Sequence, residues 1–284
     1  MRIAILDMYN GAPNEGMRCL KTISGRFLAA PGVGGHYDVF DVRQHCEIPE
    51  IHQYDVFLSS GGPGNPVPAQ LDKLERWERK WFNLIDQIWE HNRQPHTPKK
   101  YLFLICHSYQ MAIHHWGLGK VGKRGSTSFG IFPMPLTYFG RTEKLFAGLP
   151  EPFYAVDSRD YQVVEPNIAA LDRMGAKVLC VEKERPHVAH LERATMAIRF
   201  SREVFGTQFH PEADAEGMLR HFEKPEKRDG IIKNHGQQKY QDMVDSLHDP
   251  DRIMRTEATL IPGFIEKAYN HLYVHKAAVL QLAN

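Results

Sequence analysis

The chain has 284 residues, of which 42% are hydrophobic, with 35 Lys and Arg against 34 Asp and Glu. This balance is typical of a globular protein with a sizeable core, and the formal net charge of +1 argues against a dedicated nucleic-acid-binding surface. No apolar run is long enough to cross a membrane. The four cysteines form no Cys-x-x-Cys pair, which argues against a disulfide scaffold or zinc knuckle and favours a cytoplasmic protein with reduced thiols.

Short apolar runs bounded by polar residues predict buried strands in the first half of the chain. These predicted strands cover residues 2–7, 37–42, 54–59 and 101–105. Before the fourth strand, apolar residues recur at helical spacing and predict a long amphipathic helix. They are Leu71, Leu74, Trp77, Trp81, Leu84, Ile85 and Ile88. Strands alternating with helices predict an α/β fold with a mainly parallel sheet covered by helices on both faces.

The second half is richer in strand signals and ends in a helical segment. Its predicted strands cover residues 153–156, 177–181, 196–200 and 204–209, with a hairpin connection at 201–203. Residues 217–222 look helical, residues 224–239 are polar and charge-rich, and residues 241–282 are mostly helix-like with interruptions at Pro250 and Pro262. We therefore predict an α/β domain over residues 1–225 and a helical C-terminal extension over residues 226–284.

Cys106 stands at a predicted strand-to-helix turn, between the apolar run 101–105 and a helical pattern that begins at His107. Such a turn projects a nucleophile from the sheet edge, and the helix N-terminus favours a thiolate. A buried core cysteine is an equally good interpretation of this segment alone, because free cysteines are among the most buried residues.

His210 ends an apolar run and Glu212 follows two residues later. Side chains at positions i and i+2 of an extended segment point the same way, so the carboxylate can hold one imidazole nitrogen and leave the other free. A histidine near a strand end is more often structural, but together with Cys106 it becomes a candidate Cys-His-Glu triad.

Three motifs in order carry a family resemblance. They are SSGGPGNP at 59–66, LICHSYQ at 104–110 and TQFHPE at 207–212. Over about residues 1–222 the chain resembles the class I glutamine amidotransferases. Within that family, its motifs are most similar in style to those of the amidotransferase domain of GMP synthase. The resemblance implies a three-layer, flavodoxin-like fold with a mixed, mainly parallel sheet of about seven strands.

The resemblance also implies roles for individual residues. Cys106 would attack the side-chain amide of glutamine, His210 would pass a proton to the departing ammonia, and Glu212 would orient the imidazole. The γ-glutamyl thioester would then be hydrolysed to glutamate. Backbone N–H groups of Gly62 and His107 would form the oxyanion hole. The remaining residues that the resemblance assigns to substrate binding are Gly61, Ser108 and Gln110.

The strand-to-helix turn around Cys106, called the elbow below, departs from the family pattern at Leu104 and Ser108, where glycine is usual. Leu104 needs space that a glycine would leave free. Two other readings therefore stay open beside glutamine hydrolysis. The same triad could hydrolyse γ-glutamyl peptides or amides, or the chain could be a non-catalytic regulatory protein on the same fold.

The expected partners follow from the same resemblance. We expect glutamine as the small-molecule substrate and no metal, organic cofactor, nucleic acid or membrane. No ATP pyrophosphatase signature occurs in the sequence, so an ammonia-accepting synthetase would be a separate chain. For residues 226–284, docking against the domain is favoured over a homo-oligomer or partner contact through their helices.

Overall fold

The structure is a computed structural model that describes residues 1–68, 74–249 and 252–274. Within these residues, seven strands form a central sheet and two more form a separate antiparallel ribbon. In chain order the strands are β1 (Arg2–Asp7), β2 (His36–Asp41), β3 (Val56–Ser59), β4 (Tyr101–Ile105), β5 (Lys120–Met134), β6 (Phe153–Val164), β7 (Lys177–Val181), β8 (Thr195–Arg199) and β9 (Val204–Thr207). The sheet order is β2-β1-β3-β4-β9-β8-β7.

The central sheet is mixed and mainly parallel, as the sequence predicts. β2, β1, β3, β4 and β9 are parallel neighbours, whereas β8 and β7 are antiparallel to their neighbours. The predicted hairpin at 201–203 joins β8 to β9. Parallel strands need crossover connections, and these supply the helices that cover both faces.

Helices pack on both faces of the sheet and form the predicted three layers. In chain order they are α1 (Glu15–Leu28), α2 (Arg76–Arg93), α3 (His107–His115), α4 (Tyr138–Arg141), α5 (Ile168–Met174), α6 (Ala215–Glu223), α7 (Pro225–His235), α8 (Gln237–His248) and α9 (Ile253–Tyr269). One core cluster joins the sheet to α1 and α9, and another joins its opposite face to α2, α3 and α5.

The alternation of side chains along β1 shows how one strand serves both layers. Ile3 and Ile5 belong to the cluster with α1 and α9, whereas Ala4 and Leu6 belong to the cluster with α2 and α3. Successive side chains of a strand point to opposite faces, so a strand buried on both sides reads as a continuous apolar run. This is why the short apolar runs located the sheet.

The ribbon of β5 and β6 was not fully predicted. The sequence predicted a strand only at 153–156, but β6 continues to Val164 and pairs with β5, which was not predicted at all. Much of the first half of β5 is solvent-exposed, and its pairing shifts register between Lys123 and Ser128. An exposed, irregular strand lacks the apolar period on which such predictions depend.

Helices α1, α4 and α5 were also missed. In α1, Asn14 caps the N-terminus by accepting a hydrogen bond from the Met17 backbone N–H, and Leu20 and Ile23 continue the buried stripe. These signals are present in the sequence as a cap followed by apolar residues at helical spacing. The start of the predicted amphipathic helix at Leu71 lies outside the described residues, within which α2 begins at Arg76.

The C-terminal extension is helical, but not in the pattern expected. Residues 224–239, predicted only as a polar segment, contain all of α7. The predicted interruption at Pro262 was wrong, because α9 continues through it. A proline removes one N–H, and this loss is offset where flanking residues such as Ile261 and Phe264 are fully buried. Pro250 lies outside the described residues, and the division at residues 225 and 226 remains a proposal.

No helix in the described ranges is both long enough and apolar enough to span a membrane.

Candidate active site

The carboxyl ends of four parallel strands meet at one edge of the sheet. Tyr9 follows β1, Gly61 follows β3, Cys106 follows β4 and His210 follows β9. In open α/β sheets this edge is where ligands bind, because loops leave the strands there and helix N-termini face it. The topology therefore brings together residues that are far apart in sequence.

Cys106 occupies a sharp, strained turn between β4 and α3. Its backbone has φ +48° and ψ −97°, a conformation that non-glycine residues rarely adopt. The turn is fixed on both sides, because the Cys106 N–H donates to the Thr207 carbonyl at 2.7 Å and its carbonyl accepts from the Gln110 N–H at 3.0 Å. This geometry turns the thiol out of the sheet at the N-terminus of a helix.

Leu104 lies beneath this turn, opposite a glycine. Leu104 is fully buried and stands in register with Gly206 on the neighbouring strand. A Cβ at Gly206 would lie 2.7 Å from Cδ2 of Tyr109, which is too close, and 3.4 Å from Cβ of Leu104, which is an ordinary contact. The glycine at 206 therefore leaves room for the Tyr109 ring, and the turn accommodates the buried Leu104 beside it.

His210 and Glu212 form a hydrogen-bonded pair. His210 Nδ1 lies 2.8 Å from Glu212 Oε1, and both side chains are largely buried. The backbone N–H of His210 donates to the Val156 carbonyl at 2.8 Å, which ties the histidine to β6. The carboxylate orients the ring and leaves Nε2 available, as in the triad arrangement.

Charge around His210 favours its protonated form. Burial opposes protonation, but the nearby Glu212 carboxylate and Cys106 thiol outweigh it and hold the pKa of His210 well above 6.5. A protonated imidazole beside a cysteine stabilises a thiolate by direct Coulomb attraction. Glu212 therefore keeps a protonated imidazole in the cavity that Cys106 also faces.

Cys106 and His210 face the same cavity, of about 410 Å³. Their proximity is shown at Gly61, where a Cβ would lie 2.8 Å from Cε1 of His210 and 3.6 Å from Cβ of Cys106. Only a glycine leaves room for both side chains at this point. Ser158 of β6 closes the far side, since its carbonyl accepts from the Cys106 thiol at 3.7 Å.

The two residues predicted for the oxyanion hole both line this cavity. A Cβ at Gly62 would lie 2.2 Å from the Met8 carbonyl oxygen, so only glycine fits there. The His107 N–H belongs to the first turn of α3, whose N–H groups have no acceptor within the helix. Burial and the nearby Arg43 lower the pKa of the His107 side chain to about 3, so its imidazole is neutral.

Of the predicted substrate-binding residues, Gln110 lines the cavity, whereas Gly61 and Ser108 are not on its wall. Gln110 Nε2 donates to the Tyr161 carbonyl at 3.0 Å and to Gln208 Oε1 at 2.9 Å. Ser108 is fully buried and its hydroxyl donates to the Ser60 carbonyl. Ser108 thus ties the elbow to the glycine-rich loop.

Two residues at the site were not singled out from the sequence. Gln208 Nε2 lies 3.6 Å from the Cys106 sulfur, and Tyr9 lines the cavity. Burial and the nearby Glu212 and Cys106 raise the pKa of Tyr9 well above 10, so its hydroxyl stays protonated. Tyr9 could have been found from its place after β1, because parallel strands end at the same edge.

No group of three or more His, Cys, Asp and Glu side chains suited to a metal ion occurs in the part of the chain that the structure describes.

Several solved structures share this fold. A glutamine amidotransferase from Thermotoga maritima is 14% identical, with a TM-score of 0.63 over 96% of this chain and 97% of that one. A glutamine amidotransferase from Methylobacillus flagellatus is 17% identical, with a TM-score of 0.57 over 95% and 92%. A protein from Thermoplasma acidophilum described as a putative GMP synthase subunit is 16% identical, with a TM-score of 0.54 over 97% and 98%. At these identities the likeness concerns the fold.

A search of curated proteins finds no match to this sequence. The family model described as glutamine amidotransferase class-I matches residues 33–222, which is more than half of the chain and includes Cys106, His210 and Glu212. The chain therefore belongs to the class I glutamine amidotransferase family.

Proposed function

We propose that this protein hydrolyses the side-chain amide of glutamine with a Cys106-His210-Glu212 triad. The observation that carries the proposal is the placement of Cys106 at a strained elbow, facing the same cavity as a histidine held by a buried glutamate. Membership of the class I family supports glutamine as the substrate.

The first half of the reaction forms a covalent intermediate. The Cys106 thiolate attacks the side-chain carbonyl carbon, and the carbonyl oxygen becomes an oxyanion that the N–H groups of Gly62 and His107 stabilise. His210 then donates its proton to the amide nitrogen as the C–N bond breaks. Ammonia leaves, and a γ-glutamyl thioester remains on Cys106.

The second half regenerates the enzyme. His210, now neutral, takes a proton from a water molecule that attacks the thioester carbonyl. Collapse of this second tetrahedral intermediate releases the γ-carboxylic acid, which loses its proton to solvent to give glutamate, and leaves the Cys106 thiolate beside the His210 imidazolium formed during the attack. Glu212 stays ionised throughout and keeps the imidazole in the tautomer that presents Nε2 to the reacting atoms.

The released ammonia would serve a partner chain that carries a synthetase activity. The resemblance in fold to a putative GMP synthase subunit supports a division of the two activities between separate chains.

Ammonia release from glutamine by the wild type and by Cys106→Ala tests the proposal. We expect release by the wild type and none above background in the variant. γ-Glutamyl peptides and amides form a second arm of the assay. Faster Cys106-dependent turnover of these compounds than of glutamine would assign the triad to γ-glutamyl conjugates, and equal release by both proteins would refute the triad.

A further inference from the structure

A second cavity, of about 220 Å³, lies beside the first. It is bounded by the β5–β6 ribbon, by the segment after β7 and by α7 and α8. Thr127 and Phe129 line both cavities. Ile231, Lys239 and Met243 also line the second one, and they lie beyond residue 222, where the match to the family model ends. This cavity is therefore built partly from the C-terminal extension.

The acids of the second cavity are already neutralised by arginines. Glu182 Oε1 accepts from Arg159 at 3.0 Å and lies 3.2 Å from Arg124. Its other oxygen lies 3.3 Å from Arg185. Asp157 is paired with Arg159 at 2.9 Å. Neither carboxylate is therefore left to balance a further cation.

Two lysines that line the second cavity add positive charge beside these ion pairs. Lys183 and Lys239 lie 4.6 Å and 5.3 Å from the centre of the Phe132 ring, and neither has a carboxylate partner among the described residues. Burial and the neighbouring Lys239 lower the pKa of Lys183. Two ammonium groups held close together repel each other unless an anion lies between them.

One arginine donor of this cavity is also unused. Nε of Arg185, which lines the cavity, is buried and has no hydrogen-bond partner among the residues described. Buried donors of a charged group are costly to leave unsatisfied, which points to a missing acceptor.

We propose that the second cavity binds the phosphate group of a small molecule or inorganic phosphate itself. Five cationic side chains line it or bind its two acids, so the described cluster has an excess of three positive charges. One carboxylate would neutralise a single charge, whereas a phosphate carries close to two negative charges at neutral pH. Arginine donors match its oxygens in geometry as well. The site is independent of the amidase chemistry proposed above.

Calorimetric titration of the full chain with inorganic phosphate, at constant ionic strength in a phosphate-free buffer, tests this site. The variants are Lys239→Gln and Lys183→Gln, chosen because neither residue is paired with a buried acid. Lys233→Gln is the matched control, since Lys233 is exposed on α7 and does not line the cavity. Thermal unfolding without phosphate checks that each variant is folded.

We expect one phosphate per chain, a Kd raised about tenfold or more by each cavity variant, and an unchanged Kd in the control. Glycerol phosphate serves as a second titrant. Binding of the ester alone, weakened by the same two variants, would support the site and assign it to phosphorylated molecules. Binding of neither titrant, or binding that both cavity variants leave unchanged, would overturn the proposal.

Discussion

The carboxyl edge of the sheet and the apolar layer between the sheet and α9 differ in backbone strain and in buried charge. At the edge, Cys106 has a strained backbone and His210 is held by a buried carboxylate. In the layer, Leu260, Phe264 and Ile265 of α9 are fully buried against the same strands. The edge therefore concentrates strain and charge, whereas the layer supplies the burial that stabilises the fold.

This contrast separates two kinds of variant. Substitutions at the edge should change reactivity far more than the free energy of unfolding, and substitutions in the layer should do the reverse. The expected effects decrease in size from the triad, through the buried layer, to an ion pair between two helices.

His210→Gln should have the largest effect on chemistry. Loss of the proton carrier is expected to lower the rate of ammonia release by about 10⁴-fold. It should also slow alkylation of Cys106 at neutral pH, because no imidazolium remains to stabilise the thiolate. Steady-state assays and iodoacetamide labelling measure the two effects, and a variant that retains the wild-type rate of ammonia release would show that His210 is not in the triad.

Glu212→Gln should have a smaller effect with a pH signature. The carboxylate raises the pKa of His210, so its loss lets the imidazole deprotonate at lower pH. The pH midpoint of the His210 imidazole, followed by NMR, should then move downward, and ammonia release should fall by about 10²- to 10³-fold. An unchanged His210 midpoint would mean that Glu212 does not act through His210.

Phe264→Ala tests the layer. Phe264 is fully buried against Phe103 and Tyr101, so the truncation should cost about 3–5 kcal/mol in the free energy of unfolding. Denaturant unfolding measures the loss. Phe139→Ala is the matched control, because Phe139 is 43% exposed and should change stability by only about 0.5 kcal/mol. Equal losses would contradict the assignment of α9 to the core.

Gly206→Ala tests the packing of the Tyr109 ring against β9. The added Cβ would lie 2.7 Å from Tyr109, so we expect a loss of about 1–3 kcal/mol in unfolding free energy. Gly230→Ala is the control. Gly230 lies inside α7 with open space around it, and alanine there should stabilise by about 0.5–1 kcal/mol. If both substitutions stabilise the protein, the packing argument for Gly206 fails.

Substitution of Glu15 should have the smallest effect on the free energy of unfolding, and this effect should appear only at acidic pH. Its hydrogen bond to Arg220 on α6, together with Arg18, lowers its pKa from 4.5 to about 2 although burial acts the other way. A lowered pKa adds stability that is fully present above pH 4.5 and is lost as the pH falls toward 2. Glu15→Gln should flatten this part of the curve of unfolding free energy against pH, and an unaltered curve would refute the contribution.

The sequence predicted the parallel strands and singled out the residues of the proposed triad because both leave local signals. Buried strands such as 101–105 read as continuous apolar runs, and Cys106 and His210 each follow one. The need for a glycine at position 206 could not be read in the same way, because Gly206 is brought beside Leu104 and the Tyr109 ring only by the pairing of β4 with β9. Register between distant strands is a property of the folded sheet.

The second cavity was beyond prediction for a related reason. Arg124, Glu182 and Lys239 lie in three separate segments, and each alone reads as an ordinary surface charge. Their meeting depends on the ribbon, which was only partly predicted, and on α8, whose packing no local pattern specifies. A charge cluster that forms only through tertiary contacts leaves no periodic pattern in the sequence.

The most direct test of the central claim is to trap the covalent intermediate. The protein is mixed with glutamine, quenched in acid within the first turnovers, and its intact mass and peptide map are measured. We predict an added γ-glutamyl group on Cys106 in Glu212→Gln, where a weakened general base slows hydrolysis of the thioester, and a smaller amount in the wild type. Glutamine turnover without any adduct on Cys106, or an adduct on another residue, would contradict the account.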